Sequence, residues 1–266
     1  MSTEVQAQRS FNRYELKYAV EVEKLDALAQ TLSTRLALDT HGVDGCYDVW
    51  SRYYDTEDLR FYWEKIDGIR FRRKLRVRVY GDPNELTDTT PVFAEIKQRV
   101  NRVTQKRRVR LTYRAALAMC DDGTEPTDAT WDPDAQDSAT YSEIVGMTAD
   151  LELRATAIVG YTRRAFVGDE RDAGVRVTFD TNIRGRDVDL TLDGGTTGLS
   201  IVPPHLSVVE VKVNERVPYW MSEMIGRHNL QLIRVSKYCQ AIERFGRAPR
   251  SSLPFNRLTN PTSRED

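Results

Sequence analysis

Arg70-Phe71-Arg72-Arg73-Lys74-Leu75-Arg76-Val77-Arg78 is the stretch that decides how this chain folds. Arg70, Arg72, Lys74, Arg76 and Arg78 recur at every second position, and Phe71, Leu75 and Val77 fall between them. A strand sends alternate side chains to opposite faces. The segment therefore reads as a strand with one cationic wall and one largely apolar wall. Like charges in a row on one face repel each other, so an ordered strand of this kind needs an offsetting charge. A polyanion supplies one.

The same alternation recurs along the chain. Glu95, Lys97 and Arg99 share a face opposite Ala94 and Ile96, and Lys106, Arg108 and Arg110 share another. Arg13, Glu15 and Lys17 alternate with Tyr14, Leu16 and Tyr18. Arg176, Thr178 and Asp180 alternate with Val175, Val177 and Phe179, and Glu210 and Lys212 with Val209, Val211 and Val213. A single strand of this type is ordinarily one with a solvated face. Several of them, with cations dominant, predict an α+β fold built on a closed antiparallel β-barrel. Its apolar faces would lie outward under flanking helices, and its charged faces would line the interior.

Periodicity predicts strands over 12–20, 47–54, 92–100, 105–112, 155–167, 174–182, 187–192 and 206–214, besides the basic strand ending at Gly81. Helices are predicted over 21–38, 59–64, 139–150 and 218–227, with a last one capped by Ser236. Asn101-Arg102 reads as a hairpin connection, and the acidic stretch 121–137 as an irregular surface loop. No repeat or internal domain boundary is evident. One globular unit is expected over 11–246, between flexible ends at 1–10 and 247–266.

The chain has 266 residues, 40% of them apolar, which is enough for one large core. Its net charge of −1 argues against a generic nucleic-acid or membrane binder. Cys46, Cys120 and Cys239 match no metal or redox spacing, and an odd count suits a reducing cytoplasm. No segment reads as a signal peptide or approaches the roughly 20 apolar residues of a membrane span. A soluble, cytoplasmic protein without direct membrane insertion is expected.

Convergent Arg and Lys point to phosphate, whose oxygens guanidinium forks match in pairs. Alternation nominates Arg72, Lys74, Arg76, Arg78, Lys97, Lys106, Arg108 and Lys212. Glu15, Glu95 and Glu210 each precede a lysine by two residues on the same face. They could form ion pairs, worth about 0–1 kcal/mol if exposed. They could instead hold Mg²⁺ or Mn²⁺ together with substrate phosphates. The ion-pair reading is favoured for Glu15 and Glu95, while both stay open for Glu210. Gly194-Gly195-Thr196-Thr197-Gly198 lacks the lysine of a P-loop and reads as a turn. His41, His205 and His228 have no ligand spacing, and no nucleophile elbow is present.

Taken in order, several of these segments resemble the VTC domain, the polyphosphate polymerase domain of the vacuolar transporter chaperone complex and its bacterial relatives. That family falls within the triphosphate tunnel metalloenzymes. The resemblance rests on Arg13-Tyr14-Glu15-Leu16-Lys17-Tyr18, Ser51-Arg52-Tyr53-Tyr54-Asp55 and Arg76-Val77-Arg78-Val79-Tyr80-Gly81. It continues through Glu95-Ile96-Lys97, Tyr161-Thr162-Arg163-Arg164-Ala165-Phe166, Val175-Arg176-Val177, Glu210-Val211-Lys212 and Ser236-Lys237-Tyr238, covering about 12–245. It implies a tunnel that takes ATP and passes out a growing polyphosphate chain. Lys17, Lys106, Arg163 and Arg176 would hold phosphates, with Tyr161 and Ser236 adding hydrogen bonds. Arg76, Arg78, Lys97 and Lys237 would act at the transferring phosphoryl, and Glu210 would bind the Mn²⁺ or Mg²⁺. Two departures stand out. Arg13 replaces the first acid of the E-x-E-x-K strand of the hydrolytic relatives, which argues against hydrolysis. Arg234 stands where a further tunnel lysine is expected.

The leading expectation is a metal-dependent, ATP-using polyphosphate polymerase. Its rivals are a hydrolase of triphosphate or polyphosphate on the same fold, and a non-catalytic module for polyphosphate or inositol pyrophosphates. Sequence-tolerant RNA binding would want exposed aromatics beside the basic strands, and the near-zero net charge speaks against it.

Overall fold

The computed structural model describes residues 13–101, 103–124, 135–214 and 216–248. In chain order these form β1 (Arg13–Glu21), a 3₁₀ turn, α1 (Leu25–Ser33), β2 (Leu36–Leu38), β3 (Cys46–Asp55) and α2 (Arg60–Ile66). Then come β4 (Phe71–Tyr80), β5 (Pro91–Val100), β6 (Val103–Thr112), α3 (Tyr113–Leu117), a π-helical turn (Ala118–Asp122) and α4 (Ala135–Asp150). The rest are β7 (Arg154–Gly168), β8 (Arg176–Arg186), β9 (Leu199–Ser200), β10 (Leu206–Asn214), α5 (Tyr219–Arg227), β11 (Gln231–Leu232) and α6 (Lys237–Arg244). The expected flexible ends lie outside the described residues, except for Arg247 and Ala248.

All the strands join one antiparallel sheet, in the order β11-β1-β10-β8-β7-β3-β4-β5-β6, with β2 added to β7 and β9 to β8. The expected barrel closure is wrong. The ladder ends at β6 on one side and at β11 on the other, and the two ends do not pair. The reason lies at the second edge of β1. There β11 pairs with Tyr18 and Ala19, and the Ile233 N–H donates to the Lys17 carbonyl at 2.7 Å. Four residues later the chain has already entered α6, so β6 meets no free strand.

The charged face is nevertheless strongly concave. From β1 to β5 is six ladder steps, about 29 Å across a flat sheet. Yet Lys97 Nζ on β5 donates to Glu15 Oε2 on β1 at 2.9 Å. Side chains bridge an opening that the backbones leave unpaired.

As expected, the apolar faces lie outward under helices. Leu75, Val77, Ala94, Ile96 and Val109 pack with Ala116 of α3 and with Ile144 and Met147 of α4. Val177, Val209 and Val211 pack with Leu28 and Leu32 of α1 and Met221 of α5. Each large apolar side chain buried in this way stabilises by roughly 1.5–3 kcal/mol. A third cluster occupies part of the concave side, where Tyr53, Ala157 and Val159 meet Tyr62 of α2 and Tyr238, Ala241 and Ile242 of α6. Asp55 locks these two helices together. Its carboxylate accepts the N–H groups of Phe61 and Tyr62 at 2.8 and 3.0 Å and the Tyr238 hydroxyl at 2.5 Å.

Other local differences have local causes. The helix expected over 21–38 stops at Ser33, because Leu36–Leu38 pairs with Gly168–Phe166 of β7. Residues 174–182 and 187–192 are not two strands. β8 runs through to Arg186, whose guanidinium then donates to the carbonyls of Asp189, Thr191 and Gly195 and holds the following segment as a loop. In the stretch read as an acidic loop, Asp121 and Asp122 belong to the π-helical turn and Asp137 to α4. Residues 125–134 lie outside the described residues.

Candidate functional site

The concave face carries most of the residues nominated from sequence. On β4 and β5, Arg76 donates from Nε and Nη2 to Glu95 Oε2 at 2.8 and 2.7 Å and from Nη1 to the Tyr53 hydroxyl at 3.1 Å. Lys106 of β6 reaches the other Glu95 oxygen at 2.5 Å. Burial opposes the charge on Glu95, but Arg76, Arg78 and Lys106 outweigh it and hold its carboxyl well below the usual range. Burial likewise opposes ionisation of Tyr53, yet Arg76, Arg78 and Lys74 pull its phenol down to about 8. Arg78 donates to Ser51 Oγ at 3.0 Å and to the Tyr161 hydroxyl at 3.1 Å.

On β7 and β8, Arg163 grips Asp180 through two hydrogen bonds of 2.7 and 2.8 Å. Lys237, the first residue of α6, reaches the same carboxylate and lies 4.5 Å from the centre of the Tyr161 ring. Asp180 is fully buried; burial would raise its pKa, but Arg163 and Lys237 bring it down to about 2.

At the β1–β10 side two carboxylates share three lysines. Glu15 contacts Lys17 at 3.0 Å and Lys97 at 2.9 Å, and Glu210 contacts Lys212 at 2.7 Å and Lys17 at 3.5 Å. Burial and the neighbouring Glu210 resist the charge on Glu15, but the lysines hold it at about 2. The same lysines, with Arg163, outweigh burial at Glu210 and keep it far below its ordinary value. The ion-pair reading of Glu15 and Glu95 fits these contacts.

The rim is looser. Lys74 Nζ donates to Ser236 Oγ at 2.5 Å, and Arg108 stacks 4.7 Å over the Phe93 ring. Arg176 is held outside the central cluster by Asp39 at 2.7 Å and the Tyr47 hydroxyl at 3.1 Å. Arg72 is half-buried and faces Arg99 across the β4–β5 ladder. Arg234 is exposed and makes no polar contact among the described residues, so it is not gathered into the cluster.

No group of three or more His, Cys, Asp or Glu able to hold a metal occurs among the described residues. Three hard oxygen donors nonetheless share this face. Glu15 and Glu210 converge on Lys17, and Glu210 pairs in register with Thr178, whose buried hydroxyl has no hydrogen-bond partner. Two carboxylates and a hydroxyl are hard oxygen donors, suited to Mg²⁺ or Mn²⁺ when phosphates supply the remaining ligands.

Sequence reasoning gave no role to Asp180, Tyr53, Ser51, Asp39 or Lys65. Asp180 was visible as a carboxylate on the same face as Arg176 and Thr178. Lys65 carried no strand signal, because it sits on the last turn of α2.

The chain belongs to the VTC domain family, whose model matches residues 12–245. The crystal structure of a "putative adenylate cyclase" from Bacillus halodurans is similar over 88% of this chain and 98% of its own, at 13% identity and a TM-score of 0.48. No curated protein matches the chain. No described helix is long and apolar enough to cross a membrane.

Proposed function

We propose that the concave face binds a linear chain of phosphoryl groups and transfers a terminal one, with ATP as donor and polyphosphate as acceptor. The observation that carries this reading is the convergence of Arg76, Arg78, Arg163, Lys97, Lys106 and Lys237 on one face whose carboxylates are already paired. An anion entering there meets guanidinium forks and ammonium groups already positioned, at little reorganisation cost. Membership of the VTC family supports the same substrate class.

Phosphoryl transfer asks a protein mainly for positioning and for neutralisation of developing charge. Arg76 and Arg78 would clamp equatorial phosphate oxygens from β4. Lys237 would swing from Asp180 toward the transferring group, leaving Arg163 to keep that carboxylate paired. The acceptor, the end of a phosphate chain, is already ionised and needs no general base. Glu15, Glu210 and Thr178 would hold a divalent cation, which when bound would supply Lewis-acid stabilisation of developing charge.

A second reading, a binding module without turnover, draws on a specific feature. Every oxygen of Glu15 and Glu210 already touches a lysine, so the face is self-neutralised without metal. Incubation of the purified protein with ATP and Mn²⁺, with products resolved by gel and phosphate assay, separates the readings. A ladder of phosphate chains with matching ADP supports the polymerase, and free phosphate alone moves the assignment to a hydrolase. Tight polyphosphate binding without ADP leaves the binding module. Failure to bind any phosphate chain overturns all three.

A further inference from the structure

The cross-strand register divides the concave face into two zones of different character. In the first, opposite charges face each other: Arg76 opposite Glu95, Glu95 opposite Arg108, Lys17 opposite Glu210, Glu15 opposite Lys212, and Arg163 opposite Asp180. In the second, like charges do: Arg72 opposite Arg99, Lys74 opposite Lys97, and Lys97 opposite Lys106. Directly opposed like charges destabilise a sheet. Lys97 and Lys106 are offset by Glu15 and Glu95, so the cost left within the fold falls on Arg72 opposite Arg99 and on Lys74 beside them.

Arg72, Lys74 and Arg99 have no carboxylate partner among the described residues. Arg99 Nε donates to the Asn101 carbonyl and Lys74 Nζ to Ser236 Oγ, neither of them an anion. Arg72 and Lys65 have no ion pair among the described residues. The neighbouring carboxylate, Glu64, is occupied by Arg60 and by the Arg73 N–H. Lys65 stands on the last turn of α2, near enough to Lys74 and Arg72 that their charges, after burial, push its ammonium down to about 8. Burial, then Arg99, lowers the Arg72 guanidinium in the same way.

We propose that Lys65, Arg72, Lys74 and Arg99 form a second subsite that grips the part of a phosphate chain extending beyond a triphosphate, so that the protein selects long chains over short ones. The inference rests on the phosphate-chain reading above and adds a polarity to it. The charge-balanced zone, which contains Glu15, Glu210 and Lys237, holds the reacting end. The unbalanced zone holds the body of the chain. The spacing fits: Arg72 lies four residues along β4 from Arg76, about 13 Å, further than a triphosphate held at Arg76 and Arg78 extends.

The test is a comparison of sodium tripolyphosphate with size-fractionated long-chain polyphosphate on wild type, Lys65→Gln and Arg99→Gln, by titration calorimetry and thermal melting. Arg99 is exposed and Lys65 lies on a helix end, so both variants should fold. The expected result is that wild type favours the long chain by about tenfold or more, and that each variant loses several-fold of that preference with tripolyphosphate affinity unchanged. Unliganded Arg99→Gln should also melt higher than wild type, because a like-charge pair is gone. Equal wild-type affinity for both ligands overturns the subsite, as does a parallel loss of both in the variants. Those outcomes leave the phosphate-chain reading standing, whereas binding of neither ligand by wild type removes both.

Discussion

Asp180 and Arg163 face each other across β7 and β8 and share two hydrogen bonds, of 2.7 and 2.8 Å, while Lys237 leans on the same carboxylate from α6. One buried anion therefore positions two cations that come from different layers of the fold. Removing it strands both of them in a low-dielectric site. Asp180→Asn should lose about 3–5 kcal/mol of stability, the usual cost of breaking a buried pair. Tripolyphosphate should restore more stability to this variant than to wild type, since a bound anion replaces the lost one. Thermal melts with and without the ligand check this, and a variant as stable as wild type would refute the structural role.

Acid should unfold the protein through the same groups. Asp180 has a folded pKa of about 2 against an ordinary value of 3.8. Its stabilisation is present above the unfolded value and is lost as the pH falls through about 2. It amounts to something on the order of 2 kcal/mol. Glu15, depressed from 4.5 to about 2, adds in the same direction. Urea midpoints measured from pH 6 down to pH 2.5 should fall with acidification. Glu15→Gln should flatten part of that slope, and an unchanged slope would contradict the assignment.

Lys237 separates binding from transfer. It touches Asp180 and the face of Tyr161, and it starts a helix whose position is fixed independently by Tyr238 on Asp55. Lys237→Met should therefore leave the fold and polyphosphate affinity nearly unchanged. It should lower ATP-dependent transfer by roughly 10²-fold or more if the side chain stabilises the transferring phosphoryl. A proportional loss of binding and turnover would reduce Lys237 to one more electrostatic contact.

Much of this arrangement was legible in the chain because strand alternation is a local signal. The two-residue period assigned Arg76, Arg78, Glu95, Lys97, Glu210 and Lys212 to one face, and the structure gathers them there. Closure was not legible. It depends on which backbone occupies the second edge of β1, and the two-residue β11 that takes it has no periodicity to detect. The overlong first helix came from Leu32 and Leu36, whose spacing suits a helix although Leu36 pairs with β7. The division into balanced and unbalanced zones depends on register, which single strands do not specify. Lys65 escaped notice because it comes from a helix, α2, where strand alternation gives no signal.

Two of the depressed lysines make ligand binding proton-linked. Lys65 and Lys106 both sit at about 8. Burial comes first in each case, followed by the neighbouring cations at Lys65; at Lys106, Glu95 opposes burial while Arg76 and Arg78 add to it. The unfolded chain keeps these protons up to its ordinary 10.5, so unliganded stability should rise as pH climbs from about 8 toward 10.5. Affinity for a phosphate chain should move the opposite way, since deprotonated amines attract no anion. At pH 8 the bound polyanion should draw protons back onto both amines. Calorimetry in buffers of different ionisation enthalpy then reports net proton uptake on binding, and Lys65→Gln should reduce it. Zero uptake at pH 8 would show that neither amine meets the chain.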